Sequence, residues 1–436
     1  MLPETQQPVA RLERLWWLAP GTLFCLVVGL TMLAAAWQSD AEYRLYGTPK
    51  YITYKHVLLA GTAIAAFAIG NWLGTTTGQR PKMSPAEMDR VVRPYFWAAF
   101  GLTLFGYAVW IAVGLKNGFS LGTFRELILT DDPSVAGHIR EQMFSTVQGI
   151  TTCTQFGAAA VLLGLWLAFR RRRFFVWPVL LLMAIAAVRA LVFSERLALI
   201  ELLVPATVLT LRMKVLGAFL PASWRSLLKL APLGAVAGLF ILFGTFEYFR
   251  SWRHYVHEFD SYPQFVMWRI AGYYTTAHNN SAMALETQPV FPLPYTTMQM
   301  LWRFPGLSKS PLGYQALTGV DPAEQQTQML ERYGTPELNS EGGIFQPALD
   351  FGLAGIVGFW FGCGVVAGRV YRGYLAGEVT NTLFYPMIYL AILETPRFLY
   401  LTYPRALPAM LMLLFVAAVV RAQRPAVLPV ALSAPA

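Results

Sequence analysis

The chain contains few charged residues for its length. Charged side chains make up 13% of the 436 residues, whereas hydrophobic side chains make up 56%. Ordinary soluble domains carry about twice that fraction of charge. The mean hydropathy is correspondingly high, at +0.45. This composition excludes an ordinary soluble protein and is typical of a polytopic membrane protein.

Cysteine is also scarce, and the usual motifs of soluble enzymes are absent. The three cysteines, Cys25, Cys153 and Cys363, lie in apolar segments without metal or redox spacing. There is no phosphate-binding glycine-rich loop, dinucleotide fingerprint or nucleophile elbow. No Asp-x-Asp or His/Cys grouping offers ligands to a divalent metal. We therefore expect neither a metal nor a cofactor.

Basic clusters between the apolar runs predict the topology. The net charge of +10 does not indicate nucleic-acid binding, because Lys and Arg accumulate in the cytoplasmic loops of membrane proteins. The strongest such cluster is the run Arg170–Arg173. The pattern predicts an all-α protein of about ten transmembrane helices with both termini in the cytoplasm. The expected parts are N-terminal transmembrane helices (1–244, with a hairpin around 194–196), a large outer loop with short helices (245–343), C-terminal transmembrane helices (344–424) and a disordered tail (425–436).

Arginine dominates the cations predicted at the outer membrane face. Arg189 and Arg196 lie on the mid-chain hairpin, and Arg250 and Arg253 follow a later span. Guanidinium groups bind phosphate in a planar, bidentate way, which suits a lipid-linked phosphate or pyrophosphate. The alternative is that each arginine only extends its charge to water. If the arginines converge, carboxylates such as Glu195 and Glu247 would offset their repulsion.

Aromatic and polar side chains surround these arginines in the sequence. Tyr273 belongs to a dense aromatic group that is either an interfacial belt or a set of platforms for sugar rings. The cluster His278-Asn279-Asn280-Ser281 supplies hydrogen-bond partners of the kind that sugar hydroxyls require. The outer loop is therefore the predicted site of any chemistry.

Short motifs at two places resemble one family. The hairpin motif is Phe193-Ser194-Glu195-Arg196-Leu197, and a large outer loop follows it. That loop ends in Asn339-Ser340-Glu341-Gly342-Gly343-Ile344-Phe345, followed by Leu349–Gly355. From about 174 to 368 this architecture resembles the Wzy-type O-antigen and exopolysaccharide polymerases. The chain departs from many members at Glu195, where they carry a small or polar residue.

The resemblance implies a GT-C-like membrane glycosyltransferase on the periplasmic side of a bacterial inner membrane. It would polymerise oligosaccharide repeat units carried on undecaprenyl pyrophosphate. The implied partners are these lipid-linked oligosaccharides, membrane lipids and a chain-length regulator protein, with no nucleic acid. Arg196 would act on the leaving pyrophosphate, and Glu195, His278 and Glu341 are unranked alternatives for the general base. The expected substrate-binding residues are Arg189, Arg250, Arg253, Arg269, Tyr273, Asn279, Asn280 and Asn339.

Two other functions remain open on the sequence. An O-antigen ligase-like glycosyltransferase would share the spans, the outer loop and the pyrophosphate donor. A flippase or transporter of lipid-linked sugars belongs to a different class. The apolar segments lack the repeated halves and the paired, Gly/Pro-broken spans that are typical of alternating access. The sequence therefore favours a transferase over a transporter.

Overall fold

The computed structural model describes residues 15–76, 85–120, 122–123, 142–144, 147, 149–170, 173–193, 196–216 and 227–422. Side chains are described for all of these except 85–87, 193, 214–216 and 249–250. Throughout these ranges the regular structure is helical, without strands. The α-helices are α1 (Pro20–Trp37), α2 (Asp40–Leu45), α3 (Tyr54–Thr75), α4 (Pro85–Lys116), α5 (Gly157–Phe169), α6 (Val176–Phe193), α7 (Arg196–Leu216), α8 (Ala231–Glu247), α9 (Arg253–Tyr255), α10 (Tyr262–Thr287), α11 (Gln299–Trp302), α12 (Tyr314–Thr318), α13 (Pro322–Tyr333), α14 (Gln346–Phe351), α15 (Leu353–Ala376), α16 (Val379–Glu394) and α17 (Leu407–Ala422).

Seven of the helical segments in the described ranges are long and apolar enough to cross a membrane. They are Pro20–Trp37, Tyr54–Thr75, Met88–Lys116, Thr151–Phe169, Arg173–Val192, Leu228–Glu247 and Leu353–Ala376. The apolar α17 is shorter, α16 has only 16 residues, and α7 carries charged residues along its length. These properties agree with a polytopic membrane protein.

The helices pack into two hydrophobic cores that share α7 and α16. One core combines α1, α3, α10 and α15. The other combines α4, α5, α6 and α17. Because both cores include residues from α7 and α16, these two helices connect the halves of the bundle. The first residue of α7, Arg196, and the last residue of α16, Glu394, are charged and buried.

Glycines allow α3 and α15 to pack at very short range. A Cβ at Gly364 would overlap the carbonyl oxygen of Phe67, and one at Gly368 would overlap that of Asn71. On the other helix, Gly70 and Gly74 face the α15 backbone in the same way. Both pairs have four-residue spacing, which places small residues on one helix face and lets membrane helices approach closely.

The segment between α8 and α15 folds around the long helix α10. This helix packs against α1 and α8, and its C-terminal half contacts α13 and α14. Its polar residues from Thr275 to Ser281 are buried. By its sequence, this polar run was expected in a loop with short helices. The run instead forms two turns of a 26-residue helix.

A break at Gly352 separates α14 from α15. Gly352 has φ of +64°, a conformation that glycine adopts at low cost. The sequence analysis predicted a span from about Ile344, but the long helix begins only at Leu353. The preceding α14 carries Asp350, whose carboxylate accepts the backbone N–H groups of Tyr295, Thr296 and Thr297 at 2.7–3.0 Å. Asp350 thereby fixes the turn that leads into α11.

Candidate functional site

A buried carboxylate joins two arginines where α7, α8 and α10 meet. Glu247 ends α8 and is fully buried, with 0% of its surface exposed. Its Oε1 lies 2.8 Å from Nη1 of Arg196, the first residue of α7. Its Oε2 accepts a hydrogen bond of 3.2 Å from Nε of Arg269 on α10. Since an unpaired buried charge is very unfavourable, this pairing keeps both guanidiniums ionised inside the protein.

The ring of Tyr273 lies among three guanidinium groups. The guanidinium carbons of Arg196, Arg269 and Arg397 lie 4.6, 5.5 and 5.9 Å from the centre of this ring. The carbon of Arg196 also lies 3.5 Å from the centre of the Phe243 ring. Aromatic faces attract cations, most strongly where water is excluded. We call Arg196, Arg269, Arg397 and Tyr273, with their paired carboxylates, the arginine cluster.

Glu337 lies on the more exposed side of this cluster. Its Oε1 is 2.7 Å from Nη2 of Arg269, and its side chain is 48% exposed. The Tyr255 hydroxyl donates to the same carboxylate at 3.0 Å. Burial, followed by the charge of Glu337, raises the pKa of Tyr255 to about 12. Nη1 of Arg269 has no hydrogen-bond partner among the described residues. The cluster therefore has a buried donor available beside a carboxylate that solvent can reach.

The turn after α16 supplies the third arginine and connects the cluster to a pocket. Arg397 pairs with Glu394 at 2.9 Å. The carbonyl of Arg397 accepts the N–H of Gly342 at 2.8 Å, and that of Thr395 accepts the N–H of Gly343 at 2.9 Å. These bonds hold residues 341–343 against the turn. The segment that carries Glu341 is therefore attached to the turn that carries Arg397.

The Glu341 carboxyl lines a polar pocket between α10, α11, α13 and α14. Its Oε2 accepts a hydrogen bond from Nε2 of Gln346 at 2.7 Å and a longer one from Nε2 of Gln299 at 3.4 Å. Arg303 and the half-buried Tyr295 also line the pocket. Burial raises the pKa of Glu341, although the positive charge of Arg303 opposes this shift. A carboxylate with a raised pKa is a stronger base than an exposed one, so Glu341 is suited to accept a proton.

His278 lies inside the protein and contacts α1. Its Nε2 is 2.9 Å from the Thr31 hydroxyl oxygen. That hydroxyl donates to the carbonyl of Val27, so the histidine is the donor in its bond to Thr31. Full burial lowers the pKa of His278 to about 3. This arrangement supports a neutral, packed histidine on α10.

The three predicted asparagines interact mainly with backbone groups. Asn279 accepts from the N–H of Tyr51 at 2.6 Å and donates to the carbonyl of Pro49 at 2.8 Å. Asn280 donates to the carbonyls of residues 338 and 340 and also lines the Glu341 pocket. Asn339 is exposed, and its carbonyl accepts a long bond from Gln326. Asn279 and Asn280 therefore fix two neighbouring loops.

The remaining predicted arginines do not all lie in the arginine cluster. Nη1 of Arg189 donates to the Thr154 hydroxyl at 3.1 Å, and Arg189 lines a separate pocket with Glu201 and Arg405. Arg253 is half-buried at the start of α9. The side chain of Arg250 and the whole of Glu195 lie outside the described residues, as do the tip of the predicted hairpin and the tail 425–436.

Several residues of the site were not singled out by the sequence analysis. They are Glu337, Glu394 and Arg397 in the cluster and Gln299 and Gln346 in the pocket. Glu337 is separated from Arg269 by 68 positions, and Gln299 from Glu341 by 42. Such separations leave no periodic signal along the chain. Comparison of the chain with known proteins gives no counterpart for this site, because no family model, curated protein or solved structure matches the chain.

Proposed function

We propose that this protein is a membrane glycosyltransferase that polymerises oligosaccharide repeat units carried on a polyprenyl pyrophosphate such as undecaprenyl pyrophosphate. The observations that carry the proposal are the arginine cluster around Tyr273 and a pocket that contains a basic carboxylate, which backbone bonds of residues 342 and 343 link to the Arg397 turn. Guanidinium groups can stabilise a leaving pyrophosphate without a metal. The polar pocket is of the kind that a sugar requires.

The donor's pyrophosphate would bind at Arg269 on the Glu337 side of the cluster. Within the cluster, three carboxylates balance three guanidiniums, so an added anion must replace a carboxylate. Glu247 is fully buried, whereas Glu337 is 48% exposed, so Glu337 is the carboxylate that can move into water at the lower cost. Pyrophosphate oxygens would then accept from Nη2 of Arg269 and from its unpartnered Nη1.

Glu341 would serve as the general base in the transfer. The oxygen of an acceptor hydroxyl attacks the anomeric carbon of the donor sugar, and its proton passes to the Glu341 carboxylate. The bond from the anomeric carbon to the pyrophosphate oxygen breaks, and its electron pair leaves with the pyrophosphate. The arginine cluster stabilises the charge that develops on this leaving group.

The proposed placement puts the arginine cluster at the outer face of a bacterial inner membrane. If α7, α16 and α17 cross along with the seven long apolar segments, the chain has ten spans. The basic loops then lie in the cytoplasm, and the segment from α9 to α14 lies in the periplasm. A GT-C-like arrangement of the spans is part of the same proposal.

Deletion of the gene tests the function through the lipid-linked material that accumulates. A polymerase predicts single repeat units facing the periplasm, while the rest of the pathway continues to operate. Long chains that stay on the lipid carrier would instead indicate a ligase. Units that stay on the cytoplasmic side would indicate a flippase. Either of these two results would overturn the proposal.

Arginine variants test the cluster in complemented deletion cells. Arg196→Lys keeps the charge but loses the planar fork that binds Glu247 and stacks on Phe243. We expect polymer synthesis to fall about 10- to 100-fold, corresponding to the loss of one charged hydrogen bond. Arg332→Lys is the matched control, because Arg332 is exposed on α13. Equal polymer yields from both variants would remove the cluster from the mechanism.

A further inference from the structure

The Glu341 pocket contains three buried acceptor atoms without donors. They are Oδ1 of Asn280 and the Oε1 atoms of Gln299 and Gln346, none of which has a hydrogen-bond partner in the described part of the chain. The three residues line the same pocket, and their exposed fractions are 1%, 3% and 3%. An unsatisfied buried polar atom costs about 1–3 kcal/mol. A cluster of three such atoms is therefore an uncommon feature that calls for a donor-bearing occupant.

The identity of these atoms as oxygens follows from their neighbours. An amide oxygen and nitrogen are distinguished by their hydrogen-bond partners. Asn280 directs its other amide atom at the carbonyl oxygens of Leu338 and Ser340. Because a carbonyl oxygen can only accept, this amide atom must be the donating nitrogen. Gln346 and Gln299 direct theirs at the Glu341 carboxylate, which also requires N–H donors. In each of the three amides, the atom without a hydrogen-bond partner is therefore the oxygen.

The remaining lining identifies the chemical class of the occupant. Four acceptor groups, the three amide oxygens and the Glu341 carboxylate, require a ligand rich in O–H or N–H donors. The guanidinium of Arg303 in the same lining disfavours a cation. Phe291, Tyr295 and Leu349 supply apolar surface, which suits the C–H faces of a sugar ring. A neutral polyhydroxylated ring has both properties.

We infer that this pocket is the acceptor-sugar site, in which Asn280, Gln299 and Gln346 accept hydrogen bonds from ring hydroxyls and orient one further hydroxyl toward Glu341. The inference rests on the proposed function for the identity of the reaction. It adds the location of the incoming sugar and the residues that select it. A sugar lacking one of the bonded hydroxyls would leave a buried acceptor unsatisfied, and such sites reject deoxy analogues strongly.

The probe for a direct test is the oligosaccharide released by mild acid from the lipid-linked material of the deletion strain. This probe has no pyrophosphate, so its binding does not depend on the arginine cluster. Equilibrium dialysis of the tritiated oligosaccharide against the purified full-length protein measures the affinity. If no such material accumulates in the deletion strain, the proposed function is wrong. If the material accumulates but does not bind to the purified protein, only the present inference is wrong.

The informative variants are Gln299→Met and Gln346→Met, which keep the side-chain length and remove the acceptor. We expect each to weaken binding roughly tenfold, corresponding to one lost hydrogen bond to a buried group. Gln299→Met loses only a long bond of 3.4 Å to Glu341, so its unfolding temperature should be nearly unchanged. Gln346→Met also removes the 2.7 Å donor to the Glu341 carboxylate and should unfold at a lower temperature. If Gln299 had only a structural role, Gln299→Met would lower the unfolding temperature and leave the affinity unchanged. Gln328→Met is the control, since Gln328 is exposed on α13 and outside the pocket lining.

Arg397→Lys separates the pocket from the arginine cluster. It should lower polymer synthesis in cells and leave binding of the free oligosaccharide unchanged. Wild-type affinity in both Gln→Met variants would overturn the inference and would mean that the pocket holds solvent only. Loss of binding in Gln299→Met together with a lower unfolding temperature would overturn it as well.

Discussion

Neutralising Glu247 provides the sharpest test of how the arginine cluster is held together. Glu247→Gln keeps the size of the side chain but removes the negative charge between Arg196 and Arg269. Arg269 retains Glu337 as a partner, whereas Arg196 loses its 2.8 Å ion pair with Glu247. Breaking a buried ion pair from one side costs about 3–5 kcal/mol, because the remaining charge stays buried. We expect a loss of that size in the free energy of unfolding.

The measurement is equilibrium unfolding of the purified protein in mixed micelles with increasing sodium dodecyl sulfate. Glu258→Gln serves as the control, because Glu258 is exposed and surface charges contribute about 0–1 kcal/mol. The double variant Arg196→Met, Glu247→Gln removes the uncompensated cation together with its partner. It should therefore be more stable than the sum of the single effects by about 2 kcal/mol. A cost below about 1 kcal/mol for Glu247→Gln, or strict additivity, would refute the reasoning.

Three further predictions concern proton binding and packing. Burial raises the pKa of Glu341. Polymer synthesis in a membrane assay should therefore fall with decreasing pH, with a midpoint above about 4.3, the ordinary pKa of Glu. A midpoint at the ordinary pKa would exclude Glu341 as the base. Burial lowers the pKa of His278 to about 3, so the folded state binds fewer protons than the unfolded state between that value and about pH 6.5. The free energy of unfolding should then fall by at most about 1.4 kcal/mol per pH unit below pH 6.5, and His278→Gln should show a shallower decline under the same titration. Gly364→Ala should lower the free energy of unfolding by about 1–3 kcal/mol, because its Cβ overlaps the Phe67 carbonyl. The control Gly362→Ala has open space at its Cβ position and should not lower the free energy of unfolding. Equal effects of the two variants would argue against close packing of α3 and α15.

Hydrophobicity alone predicted apolar helices long enough to cross a membrane, and seven such helices occur in the described ranges. A membrane helix satisfies its own backbone hydrogen bonds, so a run of apolar residues defines it with little help from the rest of the fold. The second span was expected at about 55–74, and α3 covers Tyr54–Thr75. The apolar run from 174 to 211 was expected to fold as two antiparallel spans, and it contains the helices α6 and α7. The start of α15 was misplaced, because Gly352 interrupts an otherwise continuous apolar pattern.

The site was much less predictable, because its residues come from distant parts of the chain. Arg196, Arg269 and Tyr273 were selected for their chemistry, but the sequence contained no signal for Glu337 or Arg397 as their partners. The polar run on α10 shows why. A His-Asn-Asn-Ser sequence carries the same hydrogen-bonding groups whether it faces a sugar or fixes a loop. Its position between α1 and the loop at 48–52 assigns Asn279 to backbone groups.

The sequence by itself thus determined the class of protein, the apolar helices and the types of residue available for chemistry. Each of these depends on local composition, which acts over one or two helical turns. The tertiary structure decided which charges pair, which buried acceptors share a pocket, and which carboxylate has a raised pKa. Those properties depend on distances of a few ångströms between residues 20 to 130 positions apart, such as Glu247 and its neighbours at 196 and 269. Electrostatic and hydrogen-bond energies change steeply over such distances, so they are fixed only when the helices pack.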